Sequence, residues 1–139
     1  ALFWFNGVEW VKVGGDVDTA QQTVSLKTKK GGKYQLRQSM RSGRFALTKV
    51  YPRIFTPNGD GWNDVANFIY EGNNAGLTGK IFDINGAFVS DMVIGDFGDN
   101  TSLKWDGRNG DGKVVSSGIY IYQIEADKKV FNGTVVVAK

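Results

Sequence analysis

Tyr120-Ile121-Tyr122-Gln123-Ile124-Glu125, a turn near Asp127-Lys128, then Val130-Phe131 and Thr134-Val135-Val136-Val137 form the stretch that decides the fold class. It is rich in β-branched and aromatic residues and has no Pro. Such runs, broken by a polar turn, read as paired strands. Ile119, Ile121 and Gln123 alternate with Tyr120, Tyr122 and Ile124. Both faces are largely apolar, which predicts a central strand covered on both sides.

Working outward, no segment of the 139 residues has convincing helical periodicity. Five Asn-Gly pairs punctuate the chain: Asn6-Gly7, Asn58-Gly59, Asn85-Gly86, Asn109-Gly110 and Asn132-Gly133. Asn-Gly suits a two-residue type I′ hairpin turn, where both positions need positive φ. Three of the pairs have strand-like flanks. Leu2–Phe5 leads to Val8–Val13, Lys80–Ile84 leads to Ala87–Ser90, and Asn132-Gly133 lies within the terminal hairpin region. Further strands are predicted at 23–27, 33–37, 44–50, 65–70 and 102–105. The chain is therefore all-β. Residues 49–139 carry about seven strand signals, the content of an immunoglobulin-like antiparallel β-sandwich. Residues 1–48 read as a short β-meander, as the terminal strands of a preceding β-domain, or as strands docked on the main unit, too few and too short to close a sandwich alone.

Composition narrows the chemistry. There is no Cys and no His, so disulfides, thiolate metal sites and the commonest general base are all missing. No apolar run approaches the ~20 residues of a membrane helix. No signal peptide is visible, and a chain starting at Ala1 reads as a mature or excised fragment. Charge is uneven. Residues 1–50 carry nine Lys/Arg against three Asp/Glu, a surplus of six positive charges. Residues 51–139 carry eight against eleven, a surplus of three negative charges. The basic part has no nucleic-acid-binding signature and reads as a solvated sheet face.

One motif carries candidate chemistry. Asn58-Gly59-Asp60-Gly61 recurs unchanged as Asn109-Gly110-Asp111-Gly112. Each copy sits in an oxygen-rich loop, the first with Asn63 and Asp64, the second with Asp106. Glycine permits sharp turning, and Asn and Asp at alternate positions offer oxygens to a hard cation such as calcium. With Thr56 as position 1 of an EF-hand-like loop, Asn58, Asp60 and Gly61 fall at positions 3, 5 and 6. Position 1 is then not Asp, and position 12 is Asn67 rather than Glu. Two carboxylates imply weak affinity, on the order of 10⁻⁴–10⁻³ M. The two loops are also able to converge on one ion. The competing reading is a set of Asx turns that cap their own backbone with no ion.

Other residues read as structural. Trp105 plugs the core, Asp106 bonds a nearby turn, Gly107 takes a positive φ, and 116–118 form a turn. Asp60 and Asp64 are a poor glycosidase pair in so short a chain without an evident cleft. Trp4, Trp10, Trp62 and Phe97 raise carbohydrate stacking, with Trp62 the best placed. The alternative for Trp62 is a lid over the end of the sandwich.

Residues 55–64, Phe-Thr-Pro-Asn-Gly-Asp-Gly-Trp-Asn-Asp, resemble the opening signature of the gliding-motility-associated C-terminal domain. Residues 81–89 resemble its central hairpin. Residues 103–122 resemble both that domain and the Ig-like domain of the flagellar hook-capping protein. The motifs occur in order across about residues 50–139, and residues 10–26 more weakly resemble the closing strands of a preceding β-sandwich. The resemblance implies a non-enzymatic C-terminal module of an extracellular or cell-surface bacterial protein, serving type IX export, attachment or assembly. Its expected partners are surface or secretion-machinery proteins and other copies meeting edge strands such as Thr134–Ala138. Calcium would brace loops 56–64 and 106–112. The alternatives are a carbohydrate-binding module using Trp62, or an accessory domain of a secreted enzyme.

Overall fold

The computed structural model describes residues 1–38 and 43–139, and those residues contain strands and turns without a helix. From residue 43 onward the strands are β6 (Ala46–Tyr51), β7 (Ile54–Phe55), β8 (Ala66–Glu71), β9 (Thr78–Phe82), β10 (Phe88–Asp91), β11 (Val93–Gly95), β12 (Gly98–Trp105), β13 (Gly118–Ala126) and β14 (Lys129–Val137). One sheet has the order β11-β12-β8-β6, the other β10-β9-β13-β14-β7. The first strand of the unit is broken at Pro52, so β6 joins one sheet and β7 joins the other in parallel with β14. All other pairings in these two sheets are antiparallel. This is the immunoglobulin-like sandwich that the strand count predicts.

Strand alternation builds the core. Tyr120, Tyr122, Ile124 and Ala126 point inward from β13, and Val135 and Val137 from β14. Ala66, Phe68 and Tyr70 meet them from β8. Phe68 lies edge-on to Tyr122 at 5.0 Å, and Trp105 packs on Tyr120 at 5.2 Å and Phe55 at 5.6 Å. Such tilted aromatic pairs add about 0.5–1.5 kcal/mol each beyond the area they bury.

The remaining strands are β1 (Leu2–Phe5), β2 (Trp10–Gly14), β3 (Asp16–Asp18), β4 (Thr23–Ser25) and β5 (Tyr34–Leu36). They form a three-stranded sheet, β2-β1-β5, and a small β3-β4 hairpin. Val11 and Val13, with Leu2, Trp4, Leu26 and Tyr34, pack on Ile69 and Phe97. Residues from β1, β2 and β5, with Leu26, therefore cover part of the outer side of the β11-β12-β8-β6 sheet. Strand β6 spans positions 48 and 49, with a bulge in its pairing to β8 between Leu47 and Lys49.

Three sequence expectations need correction. The strand covered on both faces is β8, whose first five residues are all buried, and not β13. β13 is central in its sheet, but its outer face is open, and Ile119 is 53% exposed. Secondly, the Asn-Gly pairs are not type I′ turns. Asn6-Gly7 and Asn85-Gly86 lie in longer loops where only the glycine has positive φ. Asn132-Gly133 is not a turn at all and lies inside β14. The two-residue hairpin falls at Asp127-Lys128, with φ of 51° and 59°. Thirdly, Thr134–Ala138 is not open along its length, because its part from Val136 onward is already paired. Val136 and Val137 pair with β7, and the amides of Val136 and Ala138 donate to Arg53 and Phe55. Among the described residues, the free rim of β14 is its earlier part, 129–135.

Candidate functional site

The loop between β7 and β8 holds Asn58, Asp60, Asn63 and Asp64, and its side chains are organised by its own backbone. The amides of Gly59 and Gly61 donate to the two carboxylate oxygens of Asp64, at 2.8 and 2.7 Å. The Trp62 amide donates to Asp60 at 2.8 Å, and the Asn58 side-chain amide donates to the other Asp60 oxygen at 3.1 Å. The Asp60 amide donates to Asn58 Oδ1 at 3.1 Å. Asn63 contributes through its main chain. It sits at φ 50°, and its carbonyl accepts from the Thr56 amide at 2.7 Å. These are Asx turns stitched across one loop. They hold three oxygen-bearing side chains in fixed places, and each accepting oxygen keeps a further lone pair.

The loop between β12 and β13 repeats the pattern. Asn109 Oδ1 accepts from the amides of Asp111 and Lys113, both at 3.0 Å. Asp106 Oδ1 accepts from the Arg108 amide at 3.1 Å. Arg108 also donates through Nη1 to the Gly112 carbonyl at 2.9 Å, and its Nε lies 3.8 Å from Asp106. A guanidinium inside this loop competes electrostatically with any added cation. Trp105 fills the core as expected, 1% exposed, with its indole N–H donating to the Arg108 carbonyl at 2.8 Å. Gly107 has φ +73°, and a Cβ there would lie 2.8 Å from Pro57. The two loops are thus in contact at their bases, through Gly107 and Pro57. Among the described residues, no three acidic side chains converge on one point.

Trp62 stands in solvent at the first loop, 78% exposed, so it is not a lid on the sandwich. Phe97 is buried rather than displayed, and Trp4 and Trp10 are half-buried. Asn67, position 12 of the EF-hand-like register, lies in β8 and is 1% exposed. It faces away from the loop and meets Asp96. Its side-chain amide donates to Asp96 Oδ2 at 3.0 Å, and its Oδ1 accepts from the Asp96 amide at 3.0 Å. Lys104 lies 3.0 Å and Lys30 3.5 Å from the same carboxylate. The Asp96 carbonyl accepts from the Lys29 amide. Sequence reading missed this buried cluster. Its only signal was a polar residue, Asn67, inside the apolar run 65–70. Burial pushes the Asp96 carboxyl up, but hydrogen bonds from Asn67 and Lys104 and the charges of Lys104 and Lys30 outweigh it, so its pKa falls below the ordinary value.

Set against known proteins, residues 49–137 match the CHU_C type IX secretion signal domain. The chain belongs to that family. The matched residues are the sandwich itself, from within β6 to the end of β14. The chain thus carries a C-terminal sorting module of type IX secretion, and a chain bearing such a signal is a secreted or cell-surface protein. Among solved structures it is similar to PorZ, described as an essential bacterial surface component of the type IX secretion system of Porphyromonas gingivalis. The identity is 27%, the TM-score 0.48, and the match covers 66% of this chain and 11% of PorZ. No match was found among curated proteins.

Proposed function

We propose that the folded sandwich of residues 49–139 is read by the secretion machinery as a structural signal, and that the free rim of β14 at 129–135 is where a partner strand adds. The observation that carries this reading is the coincidence of the family match with one closed sandwich. A signal read as a short linear segment would not need all nine strands. An unpaired strand rim offers backbone groups to an incoming strand. A reporter joined ahead of residue 1 tests the function, expressed in a bacterium with the type IX system and in a strain lacking it. Release or surface display in the first strain alone is the expected result. Equal export in both strains contradicts it.

Calcium would act on this module as a brace. It would bind the folded state at loops 56–64 and 106–112 and stabilise it by mass action. The Asx network supports this by fixing Asn58, Asp60 and Asp64 in one loop before any ion arrives. Thermal unfolding in EDTA and across a calcium titration, with magnesium as control, tests it. A midpoint that rises with calcium and reverts in Asp60→Ala carries the brace. An unchanged midpoint at millimolar calcium leaves both loops as self-capped turns.

The exposure of Trp62 favours one second reading, a carbohydrate contact at that loop. A glycan array with Trp62→Ala as control decides it.

A further inference from the structure

The outer face of the β2-β1-β5 sheet lies outside the matched family segment and has a chemistry of its own. In strand register, Phe5 faces Trp10 across β1 and β2, and Phe3 faces Gln35 across β1 and β5. Phe5 and Trp10 are in ring contact at 5.3 Å. The Arg37 guanidinium lies 5.2 Å from the ring centres of both Phe3 and Trp10, and its Nε donates to Gln35 at 2.8 Å. The Lys33 ammonium lies 6.0 Å from the Phe5 ring. Lys33 and Arg37 are exposed, and among the described residues neither pairs with a carboxylate. By contrast, Lys12 and Lys49 on the neighbouring strands are paired, with Glu71 and Glu9.

We propose that this face binds an acidic polysaccharide. Sugar rings present C–H surfaces that lie flat on aromatic side chains, and their carboxylates require a cation beside the ring. Arg37 suits that role because its two ring contacts and its bond to Gln35 hold the planar fork in place. Its terminal nitrogens are left for a bidentate carboxylate. The surplus of six positive charges over residues 1–50 favours a polyanion over a neutral polymer. A nucleic acid is the poorer fit. It presents a phosphate at every residue along its strand, against two unpaired cations here. The Phe5 and Trp10 rings are tilted by 45°, unlike parallel platforms for successive bases. The preference for a polysaccharide over nucleic acid also rests on the export reading, because a secreted chain meets extracellular polymers. Binding itself does not depend on that reading.

Titration of the whole chain with polygalacturonate at low salt tests the site, with dextran, poly-glutamate and oligodeoxythymidylate as comparisons. Polygalacturonate is expected to bind, and Arg37→Gln and Trp10→Ala are each expected to weaken it about tenfold, as loss of one charged bond or one stacking ring does. Arg37→Lys keeps the charge but loses the fork, and is expected to fall between the wild type and Arg37→Gln. Trp62→Ala is expected to bind as the wild type does. Arg37 is exposed, so its variants also guard against loss of binding through misfolding of Trp10→Ala. No binding at low salt overturns the proposal. So does equal binding of poly-glutamate, which would make charge alone responsible. Tighter binding of the oligonucleotide, or loss confined to Trp62→Ala, overturns it as well. Failure of export in the reporter assay would leave each of these results readable.

Discussion

Gly133 shows how one residue can mislead a sequence reading. Asn132-Gly133 has the composition of a hairpin turn, yet Gly133 pairs with Tyr122 in an unbroken ladder. The reason is space. A Cβ at Gly133 would lie 2.7 Å from Cε1 of the buried Tyr122 ring, which covers the glycine instead. Gly133→Ala is therefore predicted to destabilise the fold by about 1–3 kcal/mol, the cost of overpacking a core. Urea unfolding measures it, and a neutral substitution would contradict the packing. Asp96 gives a second residue-scale test. Its folded pKa is depressed, so its contribution is present above the ordinary carboxylate value of about 3.9 and is lost as pH falls through the folded value. Asp96→Asn is predicted to lose less stability than the wild type between pH 5 and pH 2, values chosen to span about one unit above the ordinary pKa and two below it. The same urea titrations, repeated across that range, measure this, and identical slopes would contradict it. In the NGDG loops the residue types were legible as turn formers, and the Asx bonds follow from them. The Asn67–Asp96 pair was not legible, because its partners are 29 residues apart.

At the scale of elements, alternation located most strands, and it placed Trp105 in the core. It failed where a strand's two faces differ in what covers them. Ile119 and Ile69 both sit in apolar runs. Ile119 ends on an open sheet face, whereas Ile69 lies between the sandwich and the N-terminal sheet. Nothing within either strand announces which face a distant segment covers. Ile69→Ala is predicted to cost about 2–5 kcal/mol, and Ile119→Ala to stay within about 0.5 kcal/mol. Chemical denaturation of the two variants side by side checks this. Equal losses would contradict the layering. The strands β3, β7 and β11 were also missed. Each has two or three residues, too short for a period to declare itself.

For the whole molecule, the sandwich was legible from about seven strand signals between turn-forming loops over residues 49–139, while the three ordered motifs carried the family resemblance. The docking of residues 1–38 onto it stood only as one of several open readings of that segment, because the contact that decides it joins Val11 and Val13 to Ile69 and Phe97 across long sequence separations. The central claim is that the folded sandwich, through the rim of β14, is the export signal. Reporter secretion by two variants of the whole chain tests it most directly. Val135→Asp places a charge in the core, where Val135 is fully buried. Paired Val130→Lys and Thr134→Lys substitutions charge the rim while leaving the inward residues intact. The account predicts that both variants stay inside the cell, although the rim variant unfolds at the same urea concentration as the wild type. Export of the core variant would show that a linear segment suffices, and wild-type export of the rim variant would place recognition elsewhere. Either result would contradict the account.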